Sequence, residues 1–316
     1  MPGDSSRAIT LRELVLANLG LTLMIAFWGA FFPLLERLLV GWDVYSITLA
    51  RQILGTAVLF LAVFIERHRA PLPRAPAWWP ILILGGVGVT FGSLLTSLGV
   101  LFSSGLSSAI ISTTNPIGSA LTAAALYREP LARGILFGTI LSVVGGLISV
   151  LGGQSQEGAH FHGGEILIVI ANVSWTWMSM AAQRWLRGYS QLQITAYTVA
   201  AGAFWLMLLF PMVAVSGIVP IRMDFGLTSL AMVAFAGAMP IALGNFLWHY
   251  GVSRIGVVVA SMYNNLLPVA AVAVTMLMGD RFTGWQLLGA AVILVGVFSA
   301  QMLALRNNSK AAISKA

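Results

Sequence analysis

Residues Gly105–Gly146 read GLSSAIISTTNPIGSALTAAALYREPLARGILFGTILSVVGG, and the chain repeats their pattern further on. Residues Gly256–Val297 read GVVVASMYNNLLPVAAVAVTMLMGDRFTGWQLLGAAVILVGV. Each copy begins at a glycine, places a proline in an apolar run, reaches an acid and enters a second apolar run with spaced glycines. The copies lie roughly 150 residues apart, which is about half the chain. We therefore predict a duplicated unit, with residues 1–152 as the first copy and 153–316 as the second.

The composition predicts that both units lie in a membrane. Of the 316 residues, 58% are hydrophobic and 9% are charged, whereas a soluble domain carries about 25% charged residues. The apolar runs are close to the ~20 residues that a helix needs to cross a bilayer. We therefore predict an all-α integral membrane protein with ten transmembrane helices. The predicted spans are 14–35, 44–65, 78–101, 105–127, 131–151, 163–185, 192–215, 226–249, 254–278 and 283–305.

The distribution of charge predicts the orientation of these spans. If the N-terminus lies in the cytoplasm, the cytoplasmic loops hold most of the 17 Lys and Arg residues, and the opposite loops hold only Arg37, Arg222 and Arg281. Cytoplasmic loops of membrane proteins carry such an excess of basic residues. Both termini are therefore predicted to be cytoplasmic, and five spans per unit give the two units opposite orientations. The loop bias also accounts for the net charge of +7 without a nucleic acid partner.

A five-plus-five inverted repeat favours transport as the function. Secondary transporters often have this construction, with the substrate site near the midplane between the repeats. The chain has no cysteine, and no acid lies in the middle of a predicted span. No histidine is paired there with an acid or a second histidine, so no metal site, cofactor or catalytic set is predicted. A membrane assembly factor or a membrane-embedded enzyme remains the alternative from a different class.

Amide side chains inside the spans predict a polar cavity. Asn264 and Asn265 are adjacent in span nine, just before Pro268. Neighbouring residues of a helix point about 100° apart, so both amides cannot face lipid without a free-energy cost. Asn115 lies beside Pro116 in a stripe of serines in span four, and it is larger than the residues that usually mediate helix packing in membranes. We therefore expect at least some of these amides to face a cavity.

Aromatic residues at similar places in the two units predict further cavity walls. Trp28 in span one and Trp175 in span six could face each other across the repeat axis, with core packing as the alternative. The residues predicted to bind substrate are Trp28, Phe32, Ser93, Asn115, Asn172, Trp175, Asn245, Tyr263, Asn264 and Asn265. The residues predicted to kink or gate the helices are Pro33, Pro116, Pro240 and Pro268.

Two ionisable side chains inside the spans need separate interpretation. Arg51 is the only clearly intramembrane charge, roughly two turns into span two. A structural role, by snorkelling outward or by pairing with Glu36 or Asp43, is favoured over binding of a substrate carboxylate. His249 shares a helical face with Asn245 near the cytoplasmic end of span eight. It is a candidate proton site, with an interfacial role as the alternative.

These features together resemble a known family. The ten spans, the inverted duplication, Arg51 in ITLARQILG and the acids Glu129 and Asp280 are similar to those of EamA-type members of the drug/metabolite transporter (DMT) superfamily. Within it the chain most resembles the YddG-type aromatic amino acid exporters, over essentially its whole length. Asp280 departs from the pattern, which usually has Glu there. The resemblance implies a multi-pass protein of the bacterial inner (plasma) membrane that exports small metabolites by alternating access.

The predicted cavity walls favour amino acids as the substrate. Neutral amides can donate to a carboxylate and accept from an ammonium group, and aromatic walls suit apolar or aromatic side chains. We therefore predict export of aromatic or bulky neutral amino acids and related small metabolites, by a protein that acts as a monomer in the lipid bilayer. Efflux of other small neutral or cationic compounds, including drugs, is the alternative among transporters.

Overall fold

The computed structural model describes residues 10–66, 77–128, 163–217 and 219–277, with isolated helical positions between 137 and 148 and between 284 and 299. In these residues all regular secondary structure is helical. The predicted fifth and tenth spans lie largely outside the described residues, as do the acids Glu129 and Asp280.

Eight helices, numbered here in chain order, fill the four long ranges. They are α1 (Leu11–Gly41), α2 (Val44–Glu66), α3 (Trp78–Phe102), α4 (105–127), α5 (Gly164–Trp185), α6 (Gln191–Ser216), α7 (Leu227–Ile255) and α8 (Val257–Leu277). All except α4 are long and apolar enough to cross a membrane, by length and composition. The described part of the chain is therefore that of an integral membrane protein.

Polar side chains mark where several of these apolar helices begin. Thr10 and Glu13 form a capping box at the start of α1, and Ser190 and Gln193 form another at the start of α6. Each box satisfies backbone N–H groups that have no partner inside the helix. Before α2, the carboxylate of Asp43 accepts the backbone N–H groups of the second and third residues that follow it, both at 2.9 Å.

Four of the helices contain a stretch of irregular helical geometry. α3 and α7 each include eight residues of π-helix, Leu84–Phe91 and Gly237–Gly244. α4 and α8 each include a 3₁₀ segment, Ser112–Thr114 and Met262–Leu266, and each segment is followed within two residues by a proline. A proline removes a backbone donor from the helix, and π-helical stretches are frequent at functional sites.

The four predicted kink residues therefore lie in different settings. Pro116 and Pro268 follow the 3₁₀ segments of α4 and α8, and Pro240 lies inside the π-helical stretch of α7. Pro33, in contrast, lies inside α1, which is α-helical throughout. The π-helical stretch of α3 contains no proline, and its sequence LGGVGVTF is instead rich in glycine.

The helices pack as two matching sets that draw on both halves of the chain. α1 packs on α7 and α8, whereas α5 packs on α3 and α4. α2 and α6 pack against each other, α2 also contacts the π-helical stretch of α7, and α6 contacts that of α3. The inner faces of these sets meet at the centre of the molecule, where the candidate site lies.

Candidate functional site

A cavity lies between the two helix sets. The centre of a water-sized sphere can occupy about 90 Å³ of this cavity. By the same definition of volume, one water needs about 10–15 Å³. The space therefore admits several waters or the polar part of a small metabolite. The cavity is lined by Trp28, Phe31, Phe32, Arg51, Ser93, Thr96, Ser112, Asn115, Asn172, Trp175, Thr176, Pro240, Ile241, Asn245, Trp248, Asn264 and Leu267.

Two tryptophans occupy corresponding walls, each held against a glycine. A Cβ atom added to Gly244 would lie 2.7 Å from Nε1 of Trp28, and one added to Gly92 would lie 2.9 Å from Nε1 of Trp175. Both glycines lie at the C-terminal end of a π-helical stretch. Trp28 Nε1 also donates to the carbonyl oxygen of Pro240 at 3.1 Å. Any larger residue at either glycine would therefore displace an indole ring.

The amide side chains around the cavity fall into two groups. Asn115 Oδ1 accepts from Thr176 Oγ1 at 2.8 Å, and Asn245 Nδ2 donates to the carbonyl oxygen of Ile241 at 2.9 Å. Asn172 and Asn264 are different, because Nδ2 of the first and Oδ1 of the second are buried without a hydrogen-bond partner. Since an amide can turn its donor or its acceptor toward a ligand, these two can bind either polar end of a substrate.

Among the described residues Arg51 is the one arginine that lines the cavity, and it is only 2% exposed. Nη2 donates to the carbonyl oxygen of Ser93 at 3.2 Å and to Oγ of Ser97 at 3.1 Å. The guanidinium carbon lies 4.6 Å from the centre of the Phe31 ring. All these partners are neutral, and Nε has no partner.

The acids considered in the sequence as partners of Arg51 are used elsewhere. Glu36 Oε2 accepts the backbone N–H of Gly105 at 2.8 Å, and Asp43 caps α2 and accepts the N–H of Arg222 at 2.9 Å. Within the described residues, therefore, no carboxylate neutralises the buried charge of Arg51.

The cavity brings together most of the residues singled out in the sequence. Tyr263 and Asn265 are not among the lining residues: the hydroxyl of Tyr263 bonds Oδ1 of Asn18, and Asn265 is buried. His249 is also buried outside the lining, with Nδ1 unpartnered. The predicted binding residues that line the cavity are Trp28, Phe32, Ser93, Asn115, Asn172, Trp175, Asn245 and Asn264.

Sequence reasoning did not single out Trp248, and it favoured a structural role for Arg51 over binding of a substrate carboxylate. Trp248 follows Asn245 by three residues, a spacing that places both on one face of α7. Its ring centroid lies 5.7 Å from that of Trp28, and Nε1 donates to Oγ of Ser179 at 2.7 Å. A tryptophan within the span, about one turn from a predicted cavity residue, was the available signal. In the described residues, no cluster of three or more His, Cys, Asp or Glu could hold a metal ion.

Comparison with known proteins places the chain among transporters. The model of the EamA-like transporter family matches residues 15–151 and again residues 162–300. The chain is 25% identical over 280 residues to the uncharacterized transporter YyaM of Bacillus subtilis, covering 87% of this chain and 90% of the relative. It is 26% identical over 281 residues to the probable terminal-alkyne amino-acid exporter of Streptantibioticus cattleyicolor, covering 88% and 90%.

The fold is similar to that of a solved protein. One crystal structure superimposes with a TM-score of 0.74 at 19% identity, covering 92% of this chain and 98% of the other. The two family matches together span most of the sequence, and seven of the described helices are long and apolar enough to cross a membrane. The chain therefore belongs to the EamA-like transporter family, and it is a multi-pass transporter, of the inner membrane in bacteria, rather than an enzyme.

Proposed function

We propose that this transporter exports amino acids with aromatic or bulky neutral side chains, and related small metabolites, by alternating access. The observation that carries the proposal is the lining of the central cavity. Aromatic walls lie beside amides whose buried polar atoms have no partner and beside one guanidinium. Such walls provide apolar contact for a side chain and hydrogen bonds for the two ends of a zwitterion.

The proposed architecture is ten spans in two inverted five-helix repeats, residues 1–152 and 153–316, with both termini cytoplasmic. Two observations support it. The family model matches once in each half, and α3 and α4 carry the same irregular stretches, in the same order, as α7 and α8. Five spans per repeat, together with the basic cytoplasmic loops, give the repeats opposite orientations. The functional unit proposed is a monomer.

Within this architecture we assign the cavity residues to two roles. Trp28, Phe32 and Trp175 contact the apolar side chain of the substrate. Asn172 and Asn264 bind its polar groups, because each has a buried polar atom to which no group of the described residues is bonded. The name of the Streptantibioticus relative, an amino-acid exporter, is consistent with this substrate class.

Efflux of cationic compounds is the alternative within transporters. A cationic drug buried in a membrane cavity would favour a carboxylate in the wall. None of the cavity-lining residues in the described part of the chain is acidic, and one of them, Arg51, is basic. The lining therefore favours the amino acid over the cation.

Flux measurements in proteoliposomes test the proposal. We expect labelled phenylalanine to cross faster than through protein-free vesicles, with or without a pH gradient, and a cationic dye not to cross. Asn264→Ala should reduce the flux more than Asn265→Ala, because both amides are buried but only Asn264 lines the cavity. Proton-driven flux of the dye without flux of any amino acid would overturn the substrate assignment.

A further inference from the structure

The cavity contains a positive charge that no acid of the described residues balances. Arg51 is buried in α2, and its hydrogen bonds go to a backbone carbonyl and a hydroxyl. A buried charge is costly unless a counter-charge compensates it. In the described residues the guanidinium forms no ion pair, and Nε faces no acceptor at all. Arg51 is therefore a buried cation that has no anionic partner among the described residues and could bind an anionic ligand.

The geometry around Arg51 fixes the guanidinium rather than neutralising it. Two contacts with α3, at Ser93 and Ser97, hold Nη2, and the ring of Phe31 on α1 lies beside the guanidinium carbon. The flexible side chain is thus positioned before a ligand arrives, which lowers the entropy lost on binding. Because Arg51 lines the cavity, the fixed group is available to whatever occupies it.

The chemistry of the guanidinium restricts what that occupant can be. Unlike an amide, which can turn either end to a ligand, arginine only donates hydrogen bonds. Its charged N–H groups form short, charge-assisted bonds with the oxygens of a carboxylate. Among the groups of an amino acid, only the carboxylate fits both the charge and the geometry.

We infer that Arg51 binds the substrate carboxylate and thereby selects free amino acids over their uncharged derivatives. The inference rests on the proposed function, since it names the group that this same cavity recognises. Arg51 becomes the residue that sets the orientation of the substrate, with its carboxylate at α2. The contacts to Ser93 and Ser97 position the guanidinium for that role.

A ligand series on the wild-type protein tests the inference without any mutation. Purified protein in nanodiscs is loaded with labelled phenylalanine, and unlabelled phenylalanine and phenylalaninamide compete for it at slightly acid pH, where both α-amines are protonated. The two ligands share shape and size and differ in the carboxylate. We expect the amide to compete about 10- to 100-fold more weakly, the range for a lost charge-assisted hydrogen bond.

Arg51→Gln should abolish this preference, because glutamine keeps donor capacity but carries no charge. Its affinity for phenylalanine should fall about 10- to 100-fold, while its affinity for phenylalaninamide stays the same or rises. Gln52→Leu is the matched control: Gln52 is the neighbouring buried residue and donates to Oγ of Ser93 at 2.8 Å, but it does not line the cavity. This control should keep the preference for the acid even if its melting temperature falls.

The outcomes separate the inference from the function on which it rests. If the wild-type protein binds neither ligand, the proposed function fails and the inference falls with it. If it binds both equally, the amino acid assignment stands and the role of Arg51 is overturned. A purely structural arginine would lower the melting temperature of Arg51→Gln and leave its preference intact. If that variant does not fold, equal competition by the two ligands on the wild-type protein still overturns the inference.

Discussion

The junction of α1 with α4 and the junction of α5 with α8 are equivalent in the proposed repeats, yet one is closed and the other is open. At the first, Gly105 is buried and donates its N–H to Glu36. A Cβ atom added there would lie 2.6 Å from the carbonyl oxygen of Phe32. At the second, Gly256 is exposed, and a Cβ atom would meet nothing within 4 Å. Both sequence copies thus start with glycine, but the glycine is closely packed in the first copy and exposed in the second.

The glycines that begin the copies also serve different purposes. Gly105 has ordinary helical geometry and is needed for space. Gly256 has a φ of 77°, a backbone conformation that favours glycine over residues with a side chain. The sequence repeats the residue, but the structural requirement behind it differs between the two junctions.

The open junction borders a recess between α5 and α8. The recess is lined by residues that include Met180, Gln183, Val258 and Val259. The centre of a water-sized sphere can occupy about 350 Å³ of it. In the proposed orientation this recess faces the cytoplasm and the closed junction faces outward. With that orientation, the structure would correspond to the state that loads from the cytoplasm, which the proposed export requires. Alternating access would exchange the states of the two junctions.

The largest effect that would test this comparison is a difference in labelling between equivalent positions. The chain has no cysteine, so the labelling of a single introduced cysteine has no background from native cysteines. Val259 is 37% exposed and lines the recess, whereas its counterpart Ser108 is 0% exposed. If opening the closed junction costs about 1.4 kcal/mol or more, Val259→Cys should react with a maleimide at least about tenfold faster than Ser108→Cys in nanodiscs. Equal rates would mean that the two junctions do not differ in solution.

A smaller effect should follow from filling the closed junction. Gly105→Ala places a methyl group against the Phe32 carbonyl, and such overpacking costs about 1–3 kcal/mol. We expect faster labelling of Ser108→Cys in this background, since separation of α1 from α4 relieves the clash. Gly118→Ala is the control in the same helix, because its added Cβ would lie 3.8 Å from Val173, an ordinary contact. Identical labelling in both backgrounds would contradict the close packing at Gly105.

The smallest effect concerns the layer between the cavity and the recess. Trp248 lines the cavity, and its indole donates to Ser179, whose neighbour Met180 lines the recess. Ser179→Ala would leave the buried indole N–H unpaired, at a cost of about 1 kcal/mol or somewhat more. A modest drop in melting temperature is expected. Ser253→Ala, which removes a local bond within α7, should lower it less, and the reverse order would refute this role of the hydrogen bond.

Hydropathy predicted the helices well where polar residues end them. Span two was expected at 44–65, and α2 runs from Val44 to Glu66 because Asp43 caps it. Span one was expected to end at 35, but α1 continues to Gly41. Glu36, the charged residue just after the predicted end, lies within α1 and accepts an N–H at the N-terminus of α4. Such a tertiary contact is not visible in the sequence of a single helix.

The candidate site could be predicted only as far as regular helical geometry applied. Asn264 and Asn265 lie in the 3₁₀ segment of α8, where three residues complete a turn and faces differ from those of an α-helix. Adjacent amides therefore could not be assigned to the cavity or the core from spacing alone. The role of Arg51 depended on which acids would reach it, and Glu36 and Asp43 both have other partners.

The buried charge of Arg51, which no acid of the described residues compensates, has an electrical consequence. Any rearrangement that changes the depth of this side chain in the bilayer moves an elementary charge through part of the membrane voltage. A full crossing is worth about 2.3 kcal/mol for each 100 mV, and a partial movement a proportional share. A zwitterion adds no net charge to the moving unit. The voltage dependence of the transport cycle would therefore come from the protein itself. It would be present whether or not a substrate occupies the cavity.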